Sequence, residues 1–293
     1  MRSFGLIGYP LAHSFSAEWF AEMFRREGIR DAVYANYPLG SIEELPALLA
    51  EHPLLGFNVT APYKRAIMDY LDQIDPTAER IGAVNCAVRQ GDTWKGYNVD
   101  WIGFAESLMA LIGGECPHAL ILGSGGAAAA AAYGLDELGM VHATVSRSKK
   151  GAGILSYEAL TSELLQKYRL LINATPLGTW PDTERFPAIP YEWLTPAHML
   201  YDMVYNPPET AFLRKGREAG ASTMNGRHML EIQARETWKL FLSACHCPSA
   251  VHRPDKASPP PHKMKGRKKI SRPCFTSESR AMHCRRPTPS RHP

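Results

Sequence analysis

Apolar and polar positions alternate over the first 243 residues with the periods of short buried strands and amphipathic helices. Phe4–Ile7 is an apolar run typical of a buried strand. Over Ser16–Glu27 the apolar residues, among them Phe20 and Met23, fall on one helical face, and Gly28 follows where a helix would end. The pattern therefore predicts a strand and then an amphipathic helix at the start of the chain.

The same alternation continues along the chain. Ser41 and Glu44 form a capping box, in which each side chain satisfies the other residue's free backbone N–H, and this predicts the start of a helix. Because parallel strands need crossover helices, the alternation predicts a mostly parallel α/β fold. Further strands are expected at Val33–Tyr37, Gly56–Thr60, Ala83–Arg89, Trp94–Tyr97, Ala119–Leu122, Val141–Val145 and Leu170–Asn173, and further helices at Ile102–Leu111 and Ala127–Leu138.

A glycine-rich loop, Gly123-Ser-Gly125-Gly126, joins a predicted buried strand to an alanine-rich helix that opens with Ala127. With Ala128 it matches the dinucleotide-binding pattern, in which the first glycine permits a tight turn and the second lets a pyrophosphate approach the backbone. Free N–H groups and the helix dipole favour an anion there. The alternative is a glycine turn in an ordinary α/β unit.

The end of the next predicted strand indicates which dinucleotide is preferred. An NAD site places Asp or Glu about 20 residues further on, where it binds the ribose 2′-hydroxyl. Here Val145 is followed by Ser146, Arg147, Ser148 and Lys149, without a carboxylate. These side chains suit a 2′-phosphate, so we expect NADP as the cofactor. A solvated basic loop is the other interpretation.

Polar side chains also follow several predicted strands in the N-terminal half. Ser14 and Ser16 are one residue apart, so both hydroxyls could face one anion, although either could instead cap a helix. For each of the other polar residues in this half, taken singly, a structural role is as plausible as a functional one. These groups are Asn58, Thr60, Lys64, Asn85, Asn98 and Asp100.

In combination, these motifs resemble the shikimate dehydrogenase family, in the same order, over roughly residues 3–243. The motifs that carry the resemblance are Ser14-Phe-Ser16, Asn58-Val-Thr60-Ala-Pro-Tyr-Lys64, Gly82-Ala-Val-Asn85, Gly96-Tyr-Asn98-Val-Asp100, Gly123-Ser-Gly-Gly126-Ala, Ser146-Arg-Ser148, Asn173-Ala-Thr175-Pro-Leu-Gly178, Asp202-Met-Val-Tyr205-Asn-Pro and Asn225-Gly226 with Met229-Leu-Glu-Ile-Gln233.

The resemblance implies reversible, NADPH-dependent reduction of 3-dehydroshikimate to shikimate in the shikimate pathway of aromatic amino acid biosynthesis. It also implies an N-terminal α/β substrate lobe (residues 1–100) and a Rossmann-type NADP-binding lobe (101–225), with a helix at about 226–243 returning to the first lobe. No metal site is expected. By resemblance, Lys64 and Asp100 are the catalytic pair, the substrate is held by Ser14, Ser16, Thr60, Asn85, Tyr205 and Gln233, and the cofactor by Gly123, Gly125, Gly126, Ala127, Ser146, Arg147, Ser148, Thr175, Gly226 and Met229.

The predicted catalytic pair also makes chemical sense by itself. Negative charge develops on a carbonyl oxygen as hydride reaches its carbon, and a proton donor within hydrogen-bond reach stabilises that charge. Lys64 is such a donor, and we expect Asp100 to orient it and relay the proton. A structural salt bridge is the alternative interpretation.

Four departures from the family pattern bear on packing and affinity. Cys86 and Val99 stand where threonine is common, and Arg227-His228 interrupts a usually small or apolar stretch. The glycine loop runs into Ala127–Ala132 without the usual basic residue, so cofactor affinity could be modest.

Charge separates the last fifty residues from the rest of the 293-residue chain. The whole carries +4, but residues 244–293 hold twelve Lys and Arg against Asp255 and Glu278, a net of +10. Residues 1–243 hold 21 Lys and Arg against 27 Asp and Glu, a net of −6. The tail is rich in proline, poor in Leu, Ile and Val, and lacks paired Cys-x-x-Cys spacing, so we expect disorder and no zinc site.

Functions other than shikimate dehydrogenase are also compatible with parts of this sequence. The basic tail could bind polyanions through charge, but its single aromatic residue, Phe275, offers little base stacking, so no nucleic-acid partner is expected. A quinate/shikimate dehydrogenase that accepts NAD, and a catalytically silent NADP-binding sensor, remain open. No apolar run is long enough to span a membrane and no secretory signal is recognised, so the cytoplasm is expected. The protein could be a monomer or a homodimer.

Overall fold

The computed structural model of the chain describes residues 1–12, 14–147 and 154–245, with side chains described as far as Ser243. These residues form two six-stranded sheets with helices packed on them. This is the predicted α/β architecture, an N-terminal substrate lobe followed by a Rossmann-type lobe. Ser148 and residues 246–293 of the basic tail lie outside the described residues, whereas Ala244 and Cys245, expected to belong to a disordered tail, are the last two residues of the final helix.

The first sheet has the strand order β2-β1-β3-β5-β6-β4. β1 pairs in parallel with β2 and β3, whereas β5 runs antiparallel to both β3 and β6. A two-residue turn at Gly91-Asp92, with Gly91 at φ +63°, joins β5 to β6 and imposes this local antiparallel pairing. The elements of this half are β1 (Arg2–Gly8), α1 (Ser16–Arg26), β2 (Ala32–Pro38), α2 (Leu45–Glu51), β3 (Gly56–Val59), β4 (Gln73–Ile74), α3 (Pro76–Ile81), β5 (Cys86–Gln90) and β6 (Thr93–Tyr97).

Two sequence predictions in this half need correction. The strand predicted from Ala83 begins only at Cys86, because the Ala83 amide bonds the Ala78 carbonyl of α3 and the Val84 amide bonds the Lys64 carbonyl, both outside the sheet. The helix predicted after the capping box starts as a short 3-10 turn, Ile42–Glu44, before α2, although the Ser41–Glu44 capping box itself is present.

The second sheet has the order β12-β11-β10-β7-β8-β9, and all its strand pairs are parallel. Buried apolar strands such as Ala119–Leu122 fit such a sheet, since both its faces are covered by helices. Its elements are α4 (Asp100–Ile112), β7 (Ala119–Leu122), α5 (Gly126–Glu137), β8 (His142–Val145), β9 (Ile154–Leu155), α6 (Ser162–Lys167), β10 (Leu170–Asn173), β11 (Met199–Asp202), α7 (Ala211–Glu218), β12 (Ser222–Met224) and α8 (Arg227–Cys245).

The last helix, α8, packs on α4 and on β3 and β5 of the first sheet. Its approach to α4 depends on Gly103, where an added Cβ would lie 2.7 Å from the Met229 carbonyl oxygen. Farther along, Trp238 and Phe241 are buried against Phe4, whose ring stacks on that of Phe241 with centroids 4.6 Å apart. The end of the chain's described part is thereby fixed to its beginning.

Among the described residues, none of the helices combines the length and the apolar character that crossing a bilayer requires.

Candidate active site

Two neighbouring cavities lie between the sheets, and Thr60, Lys64 and Tyr205 line both of them. One, of about 430 Å³, is named here the polar cavity, and the other, of about 480 Å³, the glycine-loop cavity. The structure brings all eight predicted catalytic and substrate-side residues to the polar cavity. They are Ser14, Ser16, Thr60, Lys64, Asn85, Asp100, Tyr205 and Gln233.

A hydrogen-bonded chain holds the Lys64 ammonium at the boundary between the two cavities. Lys64 Nζ lies 2.6 Å from Asp100 Oδ2, and Asn85 Nδ2 donates to the other carboxylate oxygen over 2.8 Å. Asn85 Oδ1 accepts from the Val99 amide, which fixes the direction of the Asn85 amide. The Asp100 side chain is 8% exposed and that of Lys64 20%, so the ammonium remains accessible to a ligand.

The segment that leads into α1 and the first residue of that helix bring two hydroxyls to the polar cavity. Ser14 Oγ accepts from the Ser16 amide over 3.3 Å, and both serines face the cavity. Between them, Phe15 contacts the ring of Tyr205 edge-on, with centroids 5.8 Å apart. Burial raises the pKa of Tyr205, against an opposing hydrogen bond to the Phe15 backbone, so its hydroxyl keeps its proton at neutral pH.

Helix α8 closes the opposite side of the polar cavity. Gly226, Met229 and Gln233 line it, one helical turn apart along the helix start. Gly226 sits so close to the Met203 carbonyl that a side chain at this position would clash. Gly226 and Met229, predicted from the sequence to bind cofactor, thus lie on the polar cavity beside Met203, which borders both cavities.

The geometry of the glycine loop suits a phosphate. Gly123 adopts φ +119°, which favours glycine, and the space where a Cβ of Gly125 would point holds no atom within 4 Å. Gly125, Gly126, Ala127 and Thr175 line the glycine-loop cavity. Since the first amides of α5 lack partners within the helix, this opening can hold a dinucleotide pyrophosphate.

Gly126 also sets how closely the two halves approach each other. A Cβ at this position would lie 3.3 Å from Lys64 Cβ and 3.4 Å from Ala83 Cβ. The small residue therefore lets the glycine loop pack directly on the segment that carries Lys64.

Ser146 and Arg147 lie where β8 ends, one strand beyond the glycine loop, and neither lines the two cavities. The Ser146 hydroxyl is 3.2 Å from that of Ser124, which connects this strand end to the loop. Arg147 is exposed. An extended dinucleotide can reach from the glycine loop to the end of β8, because its adenosine half binds at the neighbouring strand.

A buried carboxylate, Asp202, joins the segments on the far side of the glycine-loop cavity. It accepts from Asn173 Nδ2 at 2.9 Å, from the Val204 amide at 2.9 Å and from Thr210 Oγ1 at 2.6 Å. Asn173 Oδ1 in turn accepts from the Thr175 amide and hydroxyl. Burial raises the pKa of Asp202 to about 7, although all three donors oppose the shift.

Other residues lining these cavities were missed by sequence reasoning. Arg65, Thr179, Trp180 and Met203 line one or both of them. Met203 lies inside the motif that begins at Asp202, and the other three follow a recognised motif by one or two residues. That position was the only available signal. Among the residues the structure describes, no group of three or more His, Cys, Asp or Glu could hold a metal ion.

A Rossmann-type sheet with an open glycine loop, facing a polar cavity that presents a lysine–carboxylate pair, defines a two-lobed dinucleotide-dependent oxidoreductase. Comparison with known proteins narrows this class. Residues 6–87 match the family model described as the shikimate dehydrogenase substrate binding domain.

Curated relatives named shikimate dehydrogenase (NADP(+)) include one from Symbiobacterium thermophilum, 37% identical, with 82% of this chain and 89% of that protein aligned. Another, from Shouchella clausii, is 38% identical over 79% of this chain and 90% of that protein. The chain therefore belongs to the shikimate dehydrogenase family.

A solved structure extends the similarity to three dimensions. The shikimate 5-dehydrogenase of Thermus thermophilus, described in complex with NADP(H) and shikimate, superposes with a TM-score of 0.74 at 33% identity. The match covers 83% of this chain and 94% of that one.

Proposed function

We propose that the protein catalyses the reversible, NADPH-dependent reduction of 3-dehydroshikimate to shikimate, the shikimate dehydrogenase step of aromatic amino acid biosynthesis. The observation that carries the proposal is the position of Lys64. Its ammonium is paired with Asp100 and lies where the polar cavity meets the glycine-loop cavity. A proton donor at that boundary serves a reaction between a small polar substrate and a dinucleotide.

In this proposal the polar cavity binds the substrate through groups of two kinds. The hydroxyls of Ser14 and Ser16, at the start of α1, hold the carboxylate, with the protonated Tyr205 hydroxyl beside them. Thr60, Asn85 and Gln233, together with the catalytic pair, hold the ring hydroxyls. Polar side chains that converge on the cavity from β3, β5, α4 and α8 recognise the arrangement of the ring hydroxyls.

Lys64 acts as the proton donor at the carbonyl oxygen. NADPH, when bound, supplies the hydride that reaches the carbonyl carbon. As the oxygen gains negative charge, Lys64 Nζ gives it a proton, and the new O–H and C–H bonds complete the alcohol. Asp100 holds the ammonium in place during this step, and Asn85 holds Asp100. In the reverse direction, neutral Lys64 accepts the hydroxyl proton.

The cofactor is proposed to bind along the carboxyl ends of β7 and β8. Gly123, Gly125, Gly126 and Ala127 would hold the pyrophosphate, and Thr175, Gly226 and Met229 would contribute further contacts to the cofactor. Ser146 and Arg147 suit a ribose 2′-phosphate, since the strand end carries no carboxylate that would select NAD. Ser148, assigned the same role from the sequence, lies outside the described residues.

Residues 1–100 with the helix at about 226–243 are proposed as the substrate lobe and residues 101–225 as the cofactor lobe. The separate sheets at 2–97 and 119–224, and the packing of α8 on β3 and β5, support this division. A cytoplasmic location and a monomeric or homodimeric state stay predictions, as does the absence of a nucleic-acid partner.

The function is tested on the full chain by following NADPH absorbance after 3-dehydroshikimate is added. The wild type is expected to turn over, and Lys64→Ala is expected to lower kcat by about 10² to 10⁴ while NADPH still binds. Wild-type protein that binds NADPH without turnover would contradict the proposal and favour a silent sensor. Equal rates with quinate and NAD would favour the broader dehydrogenase.

A further inference from the structure

The glycine loop has no cation of its own. From Ala119 to Val141, which spans β7, the loop and α5, the chain contains neither Lys nor Arg. The first turns of α5 consist of glycine and alanine. This segment then offers a doubly charged pyrophosphate only uncharged groups, the backbone amides and the Ser124 hydroxyl, together with the helix dipole.

A cation reaches the loop from the opposite lobe. Arg65, six residues after the end of β3, lines the glycine-loop cavity together with Gly125 and Gly126. Its Nη2 atom lies 3.4 Å from the Ser124 carbonyl oxygen, so the guanidinium already spans the cleft. At this distance the hydrogen bond is long and easily exchanged for a better acceptor.

Arg65 is also the cation that is available for such a role. Lys64 and Arg65 are the two basic residues that line the glycine-loop cavity, and Lys64 is held by Asp100 at 2.6 Å. Among the described residues, no carboxylate forms a salt bridge with Arg65, and its side chain is exposed. The guanidinium can therefore turn toward a phosphate without giving up an ion pair.

We propose that Arg65 binds the pyrophosphate of NADP from across the cleft and supplies the positive charge that the glycine loop lacks. The inference rests on the proposed function. A guanidinium donates two parallel hydrogen bonds to phosphate oxygens, which suits a contact made by one side chain alone. Because Arg65 directly follows Lys64, cofactor binding would hold the segment that carries the proton donor in place against the glycine loop.

The test compares NADPH binding to the full-length wild type, Arg65→Ala and Arg65→Lys by fluorescence titration or calorimetry. Arg65→Ala is expected to raise the Kd for NADPH about tenfold and to make binding less sensitive to salt. Arg65→Lys should recover part of the affinity. Arg30→Ala removes an equally exposed arginine from the same lobe and is expected to bind NADPH as the wild type does.

A second probe shows which part of the cofactor Arg65 contacts. Adenosine 2′-monophosphate carries the 2′-phosphate without a pyrophosphate, so Arg65→Ala should bind it with wild-type affinity. Arg147→Ala should weaken both NADPH and this fragment. A general disturbance of the lobe would instead weaken the fragment and shikimate as well.

The outcomes separate this proposal from the proposed function. An active wild type whose Arg65→Ala variant binds NADPH unchanged would overturn the role of Arg65 and leave the dehydrogenase function standing. Equal loss of affinity for NADPH, the fragment and shikimate would also overturn it. A wild type that neither binds NADPH nor reduces 3-dehydroshikimate would remove both proposals.

Discussion

Asn58 in β3 and Thr237 in α8, 179 residues apart in the chain, are joined by a hydrogen bond of 2.9 Å from the Asn58 side-chain amide to the Thr237 hydroxyl. Both residues are buried. Asn58 also accepts from Tyr34 and donates to the Asn85 carbonyl, so it is held on three sides. Thr237 lies one helical turn after Gln233, and the bond therefore sets how α8 presents Gln233 to the polar cavity.

Thr237→Val tests this contact, because valine keeps the shape and removes the hydroxyl. The Asn58 amide would lose one buried acceptor, and we expect a loss of about 1–3 kcal/mol in the free energy of unfolding. The KM for shikimate should rise more than the KM for NADPH. Denaturant unfolding and steady-state kinetics measure both. Ser243→Ala, on an exposed part of α8, is the control and should leave both nearly unchanged. Unaltered stability in Thr237→Val would contradict the assignment.

Asp100→Asn should separate positioning from binding at the catalytic pair. With its amide oxygen toward Asn85, the asparagine keeps that hydrogen bond but presents its NH2 group, a donor, to the Lys64 ammonium and no longer attracts it. We expect kcat to fall about 100-fold while the Kd for NADPH stays unchanged. Asp92→Asn, at the exposed β5–β6 turn, serves as the matched control. A variant that retained full kcat would reduce the Lys64–Asp100 pair to a structural salt bridge.

Gly126→Val should widen the gap between the glycine loop and the Lys64 segment. Its Cβ alone would meet Lys64 Cβ at 3.3 Å, and the two added methyl groups need still more room. We expect kcat to drop by more than about tenfold, since small displacements of a proton donor are costly. Kinetics with the control Gly40→Ala, whose site is exposed, should match the wild type. Full activity of Gly126→Val would show that the lobes do not need this close approach.

Arg147→Ala should change cofactor preference and leave the chemistry intact. If Arg147 binds the 2′-phosphate, its removal raises the Kd for NADPH about tenfold and leaves the Kd for NADH, which lacks that phosphate, unchanged. Titrations with the two cofactors on one variant provide an internal control. If the affinities for NADPH and NADH fell equally, Arg147 would instead contact another part of the cofactor or stabilise the end of β8.

Asp202→Asn should reveal a pH-dependent contribution to stability. Burial raises the pKa of Asp202 from 3.8 to about 7, so the folded protein holds a proton that the unfolded chain has lost. Stability therefore falls as pH rises from about 4 to 7 and levels off above that. Asparagine does not titrate, so the variant should be more destabilised relative to wild type at pH 5 than at pH 8. Thermal unfolding at several pH values measures this, and a pH-independent difference would argue against the raised pKa.

Local pattern was enough to predict most of the fold. Leu170–Asn173 is a strand as predicted, and the helices expected at Ile102–Leu111 and Ala127–Leu138 occur with ends shifted by one or two residues. Such elements are predictable because burial on a helix or strand face repeats with a fixed period. The strand expected from Ala83 starts three residues late, because the backbone amides of Ala83 and Val84 bond the end of α3 and the Lys64 carbonyl instead of a neighbouring strand.

The sequence by itself determined which kinds of groups are available for chemistry. These are a glycine loop, a strand end without a carboxylate, and a lysine, a carboxylate and hydroxyls that follow predicted strands. The roles of these groups were implied by the resemblance of the ordered motifs to the shikimate dehydrogenase family. Only the tertiary structure decided that Lys64 meets Asp100 at the junction of two cavities, that Thr237 anchors α8 to Asn58, and that Arg65 reaches Ser124 across the cleft. Distances between residues far apart in the chain depend on how two sheets and a returning helix pack, and no local pattern encodes that packing.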